Sequence, residues 1–402
     1  MNSLLTPQHK LGKKGLIILI FFLNMTGPMS TDLYLSGFPK MLIDLQTTST
    51  LLNYTLVGFF LSFAIGMLFI GPLSDKIGRK PVLLSGILVY GLSSLFCSFA
   101  TSIEFLIFFR ITQALGAGGM ISVSTAMVKD SFTHEERPKI IALLQMLGAF
   151  APTVAPLIGA QIIKYSSWHV TFDFLAILAC ISFIISLFVT ETLAKEKRLQ
   201  GSVFLSILSL KDILVNKPFM NFLVAMGGPS IIYMAFLSVS SYIYIDWFKL
   251  TETEYSLFFA VNSLILLVGP RIYLALRNKI TGKQVILISF ISILISGTLI
   301  LTVGKISPYL FLASFAPVTF GNSFLRSFSS NILLGQDNMN AGGVASIINF
   351  SNTGLGAVGM FLGALPWTNF IQGLGSVIFI AMAFSITLWV YFNKNGFKLR
   401  GL

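Results

Sequence analysis

The chain has 402 residues, of which 55% are hydrophobic and only 10% charged, and it carries a net charge of +12. Soluble globular proteins hold about 25% charged residues, so this composition excludes a water-soluble fold and sets most of the surface against lipid. The positive charge does not indicate nucleic acid, because the basic residues sit between apolar runs and form no single polar face.

A helix needs about 20 apolar residues to cross about 30 Å of hydrocarbon, and twelve runs in the sequence qualify. Lys10, Lys13 and Lys14 precede the first, residues 15–38. No small-residue cleavage site follows and more spans do, so it reads as an uncleaved first helix. The next five are 51–73, 80–100, 104–128, 138–163 and 169–191. A polar stretch, Thr192 to Lys217, then separates them from 218–246, 254–276, 284–304, 308–334, 341–366 and 373–392. The runs are continuous and do not alternate, which excludes a barrel. The expected architecture is an all-α membrane protein. A six-helix bundle over residues 1–192 and a second over 218–402 are joined by a linker at 193–217.

Of the 27 Lys and Arg residues, 21 fall on one side if both termini share that side. Four (Lys40, Lys164, Lys249 and Lys305) fall on the other, and Arg110 and Arg326 lie inside spans. Basic loops stay in the cytoplasm, so both termini are expected there. The halves show a faint repeat: Gly71-Pro72 is read as ending the second helix and Gly269-Pro270 the eighth, each before a basic loop. Parallel repeats of this kind mark a transporter architecture with its substrate site between the halves.

Cys97 and Cys180 each lie within an apolar run, and His9, His134 and His169 are scattered, so no metal site is expected. No cluster of nucleophiles or acids in the spans points to a membrane-embedded enzyme. No Gly-rich loop ending in Gly-Lys-Ser/Thr points to a nucleotide. No cofactor is expected.

The most specific motif is Gly71-Pro72-Leu73-Ser74-Asp75-Lys76-Ile77-Gly78-Arg79-Lys80. Gly71 and Gly78 permit tight turns, Asp75 can accept from backbone N–H groups at a helix start, and Arg79 and Lys80 anchor the loop. This segment resembles the loop 2–3 signature of the major facilitator superfamily. The resemblance implies that Asp75 and Arg79 lock the cytoplasmic side, with Asp130 as the partner of Arg79. Arg110, in Phe109-Arg110-Ile111-Thr112-Gln113-Ala114-Leu115-Gly116, resembles the helix 4 signature of proton-coupled members. A charge inside a span normally faces the bundle interior.

In the fifth span, Ala151-Pro152-Thr153-Val154-Ala155-Pro156-Leu157-Ile158-Gly159-Ala160 resembles the signature of drug:proton antiporters, with Ala155 and Ala160 where glycine is usual. Small residues allow close helix approach, and Pro152 and Pro156 permit bending. Ser30-Thr31-Asp32-Leu33-Tyr34-Leu35-Ser36-Gly37-Phe38-Pro39 resembles the first helix of the bicyclomycin/chloramphenicol resistance (Bcr/CflA) branch of drug exporters. Asp32 is the only acid of the first run, and Asn24 occupies the place of a second acid found in some related exporters. Asp32 and Arg110 both fall in the outer half of the first bundle. The resemblance implies that they carry proton coupling, with Arg110 favouring the charged carboxylate in one state and releasing it in another.

The tenth span is unusually polar, and Asn322, Arg326 and Ser329 share one helix face. Arg326 is expected to face a cavity and meet an anionic or strongly polar solute; the competing reading pairs it with Asp337. Tyr34, Phe38, Tyr54, Tyr233, Phe236 and Asn349 are further cavity-lining candidates. Together the resemblances imply a monomeric, proton-coupled exporter of small molecules, conferring antibiotic resistance by drug efflux from the bacterial inner membrane. The competing functions are a specific exporter or importer of an anionic metabolite such as a siderophore, and a non-transporting receptor.

Overall fold

No water pairs with backbone N–H and C=O groups in hydrocarbon, so an apolar chain closes its hydrogen bonds within helices. The computed structural model describes residues 8–133, 135–200, 210–277, 279–336 and 341–402. Side chains are described at all of these except 138, 141, 142, 145–149, 197, 341 and 342. Among the described residues every regular element is helical.

The first unit contains α1 (Gly12–Asp32), α2 (Phe38–Asp44), most of α3 (Ser49–Ile77), α4 (Arg79–Ser98), α5 (Ile103–Ser131), α6 (Arg137–Tyr165) and α7 (His169–Leu187). After α8 (Lys211–Val215), the second contains α9 (Lys217–Ala225), α10 (Gly228–Ser241), α11 (Glu252–Leu266), α12 (Val268–Leu276), α13 (Gly282–Leu299), α14 (Pro308–Leu334), α15 (Ala341–Gly363) and α16 (Phe370–Lys394). Ten passes among the described residues are long and apolar enough to cross a membrane. α6 and α14, of 29 and 27 residues, are as long and bring the passes to twelve.

Local chemistry sets where the helices start. Ser102, Asn216 and Ser307 each accept the N–H three residues on, and Asn369 accepts from Ile371 and Gln372. Thr251 with Glu254, and Thr281 with Gln284, form reciprocal capping boxes. These caps satisfy backbone donors that the first turn leaves unpaired.

Four passes depart from the continuous helices expected of them, the eighth by a single turn residue, Leu267, between α11 and α12. The first breaks after Asp32 into a 3-10 turn at Leu35–Gly37 before α2 begins. The seventh is jointed at Met226 and Gly227, because Pro229 lacks the N–H that would carry α9 into α10. The ninth widens into a π-helix at Ile300–Gly304, as the seventh does at Tyr242–Trp247. The Gly-Pro pairs also differ from expectation. α3 continues through Pro72 to Ile77. Pro270 sits in the first turn of α12, where its missing N–H has no intrahelical partner to lose. Gly71 is therefore a packing residue: a Cβ there would lie 2.6 Å from Ser122 Oγ.

The described chain divides into two compact units, Met1–Thr47 with Gly58–Ser209, and Thr48–Val57 with Leu210–Leu402. Residues 48–57, assigned by sequence to the first bundle, thus group with the second. Thr50 Oγ1 donates to Ala364 O at 2.7 Å and Tyr54 stacks on Phe361. In the first unit α5 is hemmed on two sides. A Cβ at Gly116 would lie 2.7 Å from Gly86 O of α4, and one at Gly118 2.5 Å from Phe63 O of α3. In the second unit Phe236, Phe259, Phe311 and Phe315 form a stacked cluster, with Phe236 and Phe315 centroids 4.1 Å apart. Large apolar side chains such as Leu88, Leu92, Ile177, Ile291 and Ile295 are exposed and meet the lipid.

Candidate functional site

The interior of the first unit is organised around a buried cation. Arg110, in the third turn of α5, is 0% exposed. Its Nη1 donates to Ser30 O at 2.9 Å and to Gln113 Oε1 at 2.5 Å. The break after Asp32 explains the first bond. Carbonyls of a last helical turn lack intrahelical donors, so Ser30 O is available and Arg110 takes it. The guanidinium also lies over three rings, 4.1 Å from the centroid of Phe59, 4.8 Å from Tyr34 and 5.9 Å from Phe172. A desolvated cation gains from such faces. Nε and Nη2 have no hydrogen-bond partner among the described residues.

Around it runs a hydrogen-bonded chain. Ser30 Oγ and Tyr90 OH are 2.7 Å apart, Gln113 Nε2 donates to Ser94 Oγ at 2.7 Å, and Ser94 Oγ donates to Tyr90 O at 2.7 Å. Asp32 is 3% exposed and accepts from Thr31 Oγ1 at 3.0 Å. It makes no ion pair among the described residues. Asp32 follows by two residues the Ser30 carbonyl that Arg110 holds, and no hydrogen bond joins its carboxylate to the guanidinium. The structure brings both charges to the same stretch of α1 and does not join them. Asn24 donates to Ile20 O and to Ser124 Oγ at 3.0 Å.

The α6 motif meets α1 at its break. A Cβ at Gly159 would overlap Leu33 O, so only glycine lets α6 lie against the opened turn. Ala151, Ala155 and Ala160 are 0% exposed, Pro156 is buried and Pro152 half-buried.

At the basic end of this unit, Arg79 is held on three sides. Its Nη2 is 2.6 Å from Asp75 Oδ1, its Nε donates to Asp130 Oδ2 at 2.9 Å and its Nη1 to Ser74 Oγ at 2.6 Å. Asp75 was expected to accept from backbone N–H groups at a helix start. That role falls instead to Glu191, which accepts from Arg79 N at 2.9 Å and Lys80 N at 3.2 Å. A carboxylate placed there meets the positive end of the α4 dipole. Gly78 has φ +120°, a conformation that favours glycine, and a Cβ there would meet Glu191 Oε2 at 2.6 Å. Lys80 Nζ donates to Leu187 O at 2.8 Å. The start of the linker is tied to the same loop, with Leu199 N donating to Asp75 O at 2.9 Å.

In the second unit one stripe of α14 runs through Phe315, Thr319, Asn322, Arg326 and Leu333. All are buried except Arg326, which is exposed. Thr319 Oγ1 donates to Asn262 Oδ1 at 2.7 Å, and Ser230 Oγ to Asn322 Oδ1 at 3.4 Å. The Arg326 guanidinium makes no ion pair among the described residues, and Asp337, its alternative partner, lies outside them. Of the other lining candidates, Asn349 is exposed and Tyr54 half-buried, whereas Tyr34, Phe38, Tyr233 and Phe236 are buried. Tyr34 and Phe38 pack edge to face beside Arg110 and form no exposed wall.

Sequence reasoning missed Glu191, Tyr90 and the Ser30 carbonyl. A lone acid closing the sixth apolar run on the basic side was the available signal for Glu191; a main-chain carbonyl leaves none.

Twelve passes, a braced basic loop and charges held inside the helical interior are the framework of a secondary membrane transporter. The Major Facilitator Superfamily family model matches residues 19–364, and the chain belongs to that family. Among its relatives, an uncharacterized MFS-type transporter YdgK of Bacillus subtilis is 31% identical over 73% of each chain. A bicyclomycin resistance protein homolog of Haemophilus influenzae is 25% identical over 96% of this chain and 98% of its own. The chloramphenicol resistance protein CraA of Acinetobacter baumannii is 28% identical over 70% of this chain and 68% of its own. The crystal structure of a D-xylose-proton symporter matches with a TM-score of 0.72 at 12% identity, over 93% of this chain and 96% of that one.

A double-mutant cycle of Arg79→Ala and Asp130→Ala, read by thermal unfolding in detergent, is expected to give a coupling of about 1–3 kcal/mol. The cycle with Asp75, whose side chain is 48% exposed, is expected to give less than about 1 kcal/mol.

Proposed function

We propose that this protein exports small drug-like molecules from the bacterial cytoplasm across the inner membrane, by alternating access, in exchange for protons. The observation that carries the reading is Asp32, a carboxylate buried in a membrane helix and bonded only to Thr31 among the described residues. An unpaired buried carboxylate bears a desolvation cost that a proton removes. One proton gained or lost then shifts the balance between conformations. Arg110, half-satisfied on the same stretch of α1, is the cation whose interactions change as that balance shifts. The relatives named for bicyclomycin and chloramphenicol resistance support drugs as the cargo. The distribution of Lys and Arg supports cytoplasmic termini. The Arg79, Asp75 and Asp130 cluster would then brace the cytoplasmic end. The protein acts as a monomer without a cofactor.

A specific observation favours a second reading for the cargo. Arg326 is the one exposed side chain on an otherwise buried stripe of α14, which suits an anionic or strongly polar solute and an exporter or importer of a metabolite.

In vesicles, an imposed pH gradient is expected to drive ethidium transport by the native protein and none by Asp32→Asn; equal transport by both would remove Asp32 as the proton carrier. Arg326→Ala is expected to raise KM for carboxyfluorescein, an anionic dye, by about tenfold, the loss of one charge-assisted contact. Arg326→Lys is expected to recover part of that loss. An unchanged KM for both dyes in both variants would contradict a cargo contact at Arg326.

A further inference from the structure

The first unit holds a pocket that the transport reading does not use. It has a volume of about 250 Å³ and lies among α1, α4 and α7, with Phe22, Met25, Met29, Tyr90, Leu178 and Ser182 in its wall. Along α1 the lining begins at Phe21, about 14 Å from Gly12, and ends at Met29, about 12 Å further. That depth is the middle of the membrane. The mouth opens toward lipid. Ile18, on the same stripe of α1 as Phe22 and Met25, is 51% exposed. Ile177, Ile181 and Ile184, beside Leu178 and Ser182 on α7, are exposed as well.

Three polar side chains distinguish this pocket from a packing defect, of which Thr26 already donates to Leu23 O at 2.7 Å. Ser182 is 1% exposed and lines the pocket, and its hydroxyl makes no hydrogen bond to the described residues. A buried hydroxyl without an acceptor is costly, and no water is present at this depth to supply one. Tyr90 also lines the pocket, and its hydroxyl is paired with Ser30 Oγ at 2.7 Å. Ser30 O in turn accepts from Arg110. A phospholipid presents only methylene groups at the membrane midplane, so an acyl chain would leave Ser182 unpaired. The occupant that satisfies the wall has an apolar body and one hydrogen-bond acceptor. Methionine and aromatic side chains adapt to such bodies.

We propose that this pocket binds a neutral, lipophilic small molecule bearing one hydrogen-bond acceptor, entering from the bilayer. The acceptor takes the Ser182 hydroxyl, and the apolar body rests on Phe22, Met25 and Met29. The occupant stands next to the Tyr90–Ser30 pair, and so next to the hydrogen-bond network of Arg110.

The test uses the full-length protein in phospholipid nanodiscs and Nile red, a neutral lipophilic dye with a ring carbonyl. No gradient is applied, so the result is independent of transport. Saturable fluorescence above that of empty nanodiscs is expected. Ser182→Ala, which removes one oxygen atom, should weaken binding about fivefold, the contribution of one hydrogen bond. Met25→Trp, which fills the cavity, should abolish it. Unchanged affinity in Ser182→Ala would overturn the proposal, whether or not Met25→Trp yields folded protein. So would native mass spectrometry in which Met25→Trp sheds a co-purified phospholipid while Nile red titrates both proteins alike, because the occupant would then be an acyl chain.

Discussion

A buried guanidinium lies inside a membrane bundle, and the first unit is arranged around its needs. Arg110 has no carboxylate beside it among the described residues. It draws on a main-chain carbonyl, a glutamine and three aromatic faces. The carbonyl exists as an acceptor only because α1 stops at Asp32. α1 can stop there against α6 only because Gly159 carries no side chain toward Leu33 O. The cation, the helix break and the small-residue helix are thus parts of one arrangement. A change in any of them alters the surroundings of Asp32, two residues from the carbonyl that Arg110 holds. This contiguity links the surroundings of Asp32 to α5 without a direct ion pair.

The basic end follows a different logic. There Arg79 is buried, while Asp75 beside it is 48% exposed. Arg79 is fixed by two acids and a serine, while Glu191 crowns the first turn of α4 and holds the glycine turn at Gly78 in place. The start of the linker is bonded to the same loop. In the second unit, by contrast, polar groups pair with each other across α10, α11 and α14, and Arg326 alone on its stripe is left exposed.

Much of this was legible in the residues. Continuous apolar runs dictate helices because nothing else closes backbone hydrogen bonds in lipid, and their lengths placed most ends within a few residues of Ser102, Thr251, Thr281 and Ser307. The resemblance of the loop motif named Asp75 and Arg79, with Asp130 as partner, and the structure sets both acids within bonding distance of Arg79. What the residues did not disclose depends on through-space relations. The break after Asp32 follows from packing against Gly159, 127 positions away. Proline was misread at Pro72 because a helix near its end tolerates a missing bond. Tyr34 and Phe38 look like cavity aromatics in sequence, yet a buried cation takes the face of Tyr34 and Phe38 packs against that ring. The grouping of 48–57 with the second unit arises from contacts such as Thr50 with Ala364, which no local pattern encodes.

The central claim is that Asp32 exchanges a proton for cargo, and proton release on cargo binding tests it most directly. Purified protein in weakly buffered detergent solution, with a pH-sensitive dye, would be titrated with ethidium. The account predicts proton release by the native protein and none by Asp32→Asn that still binds the dye. Equal release from both would contradict it and assign the proton to another group.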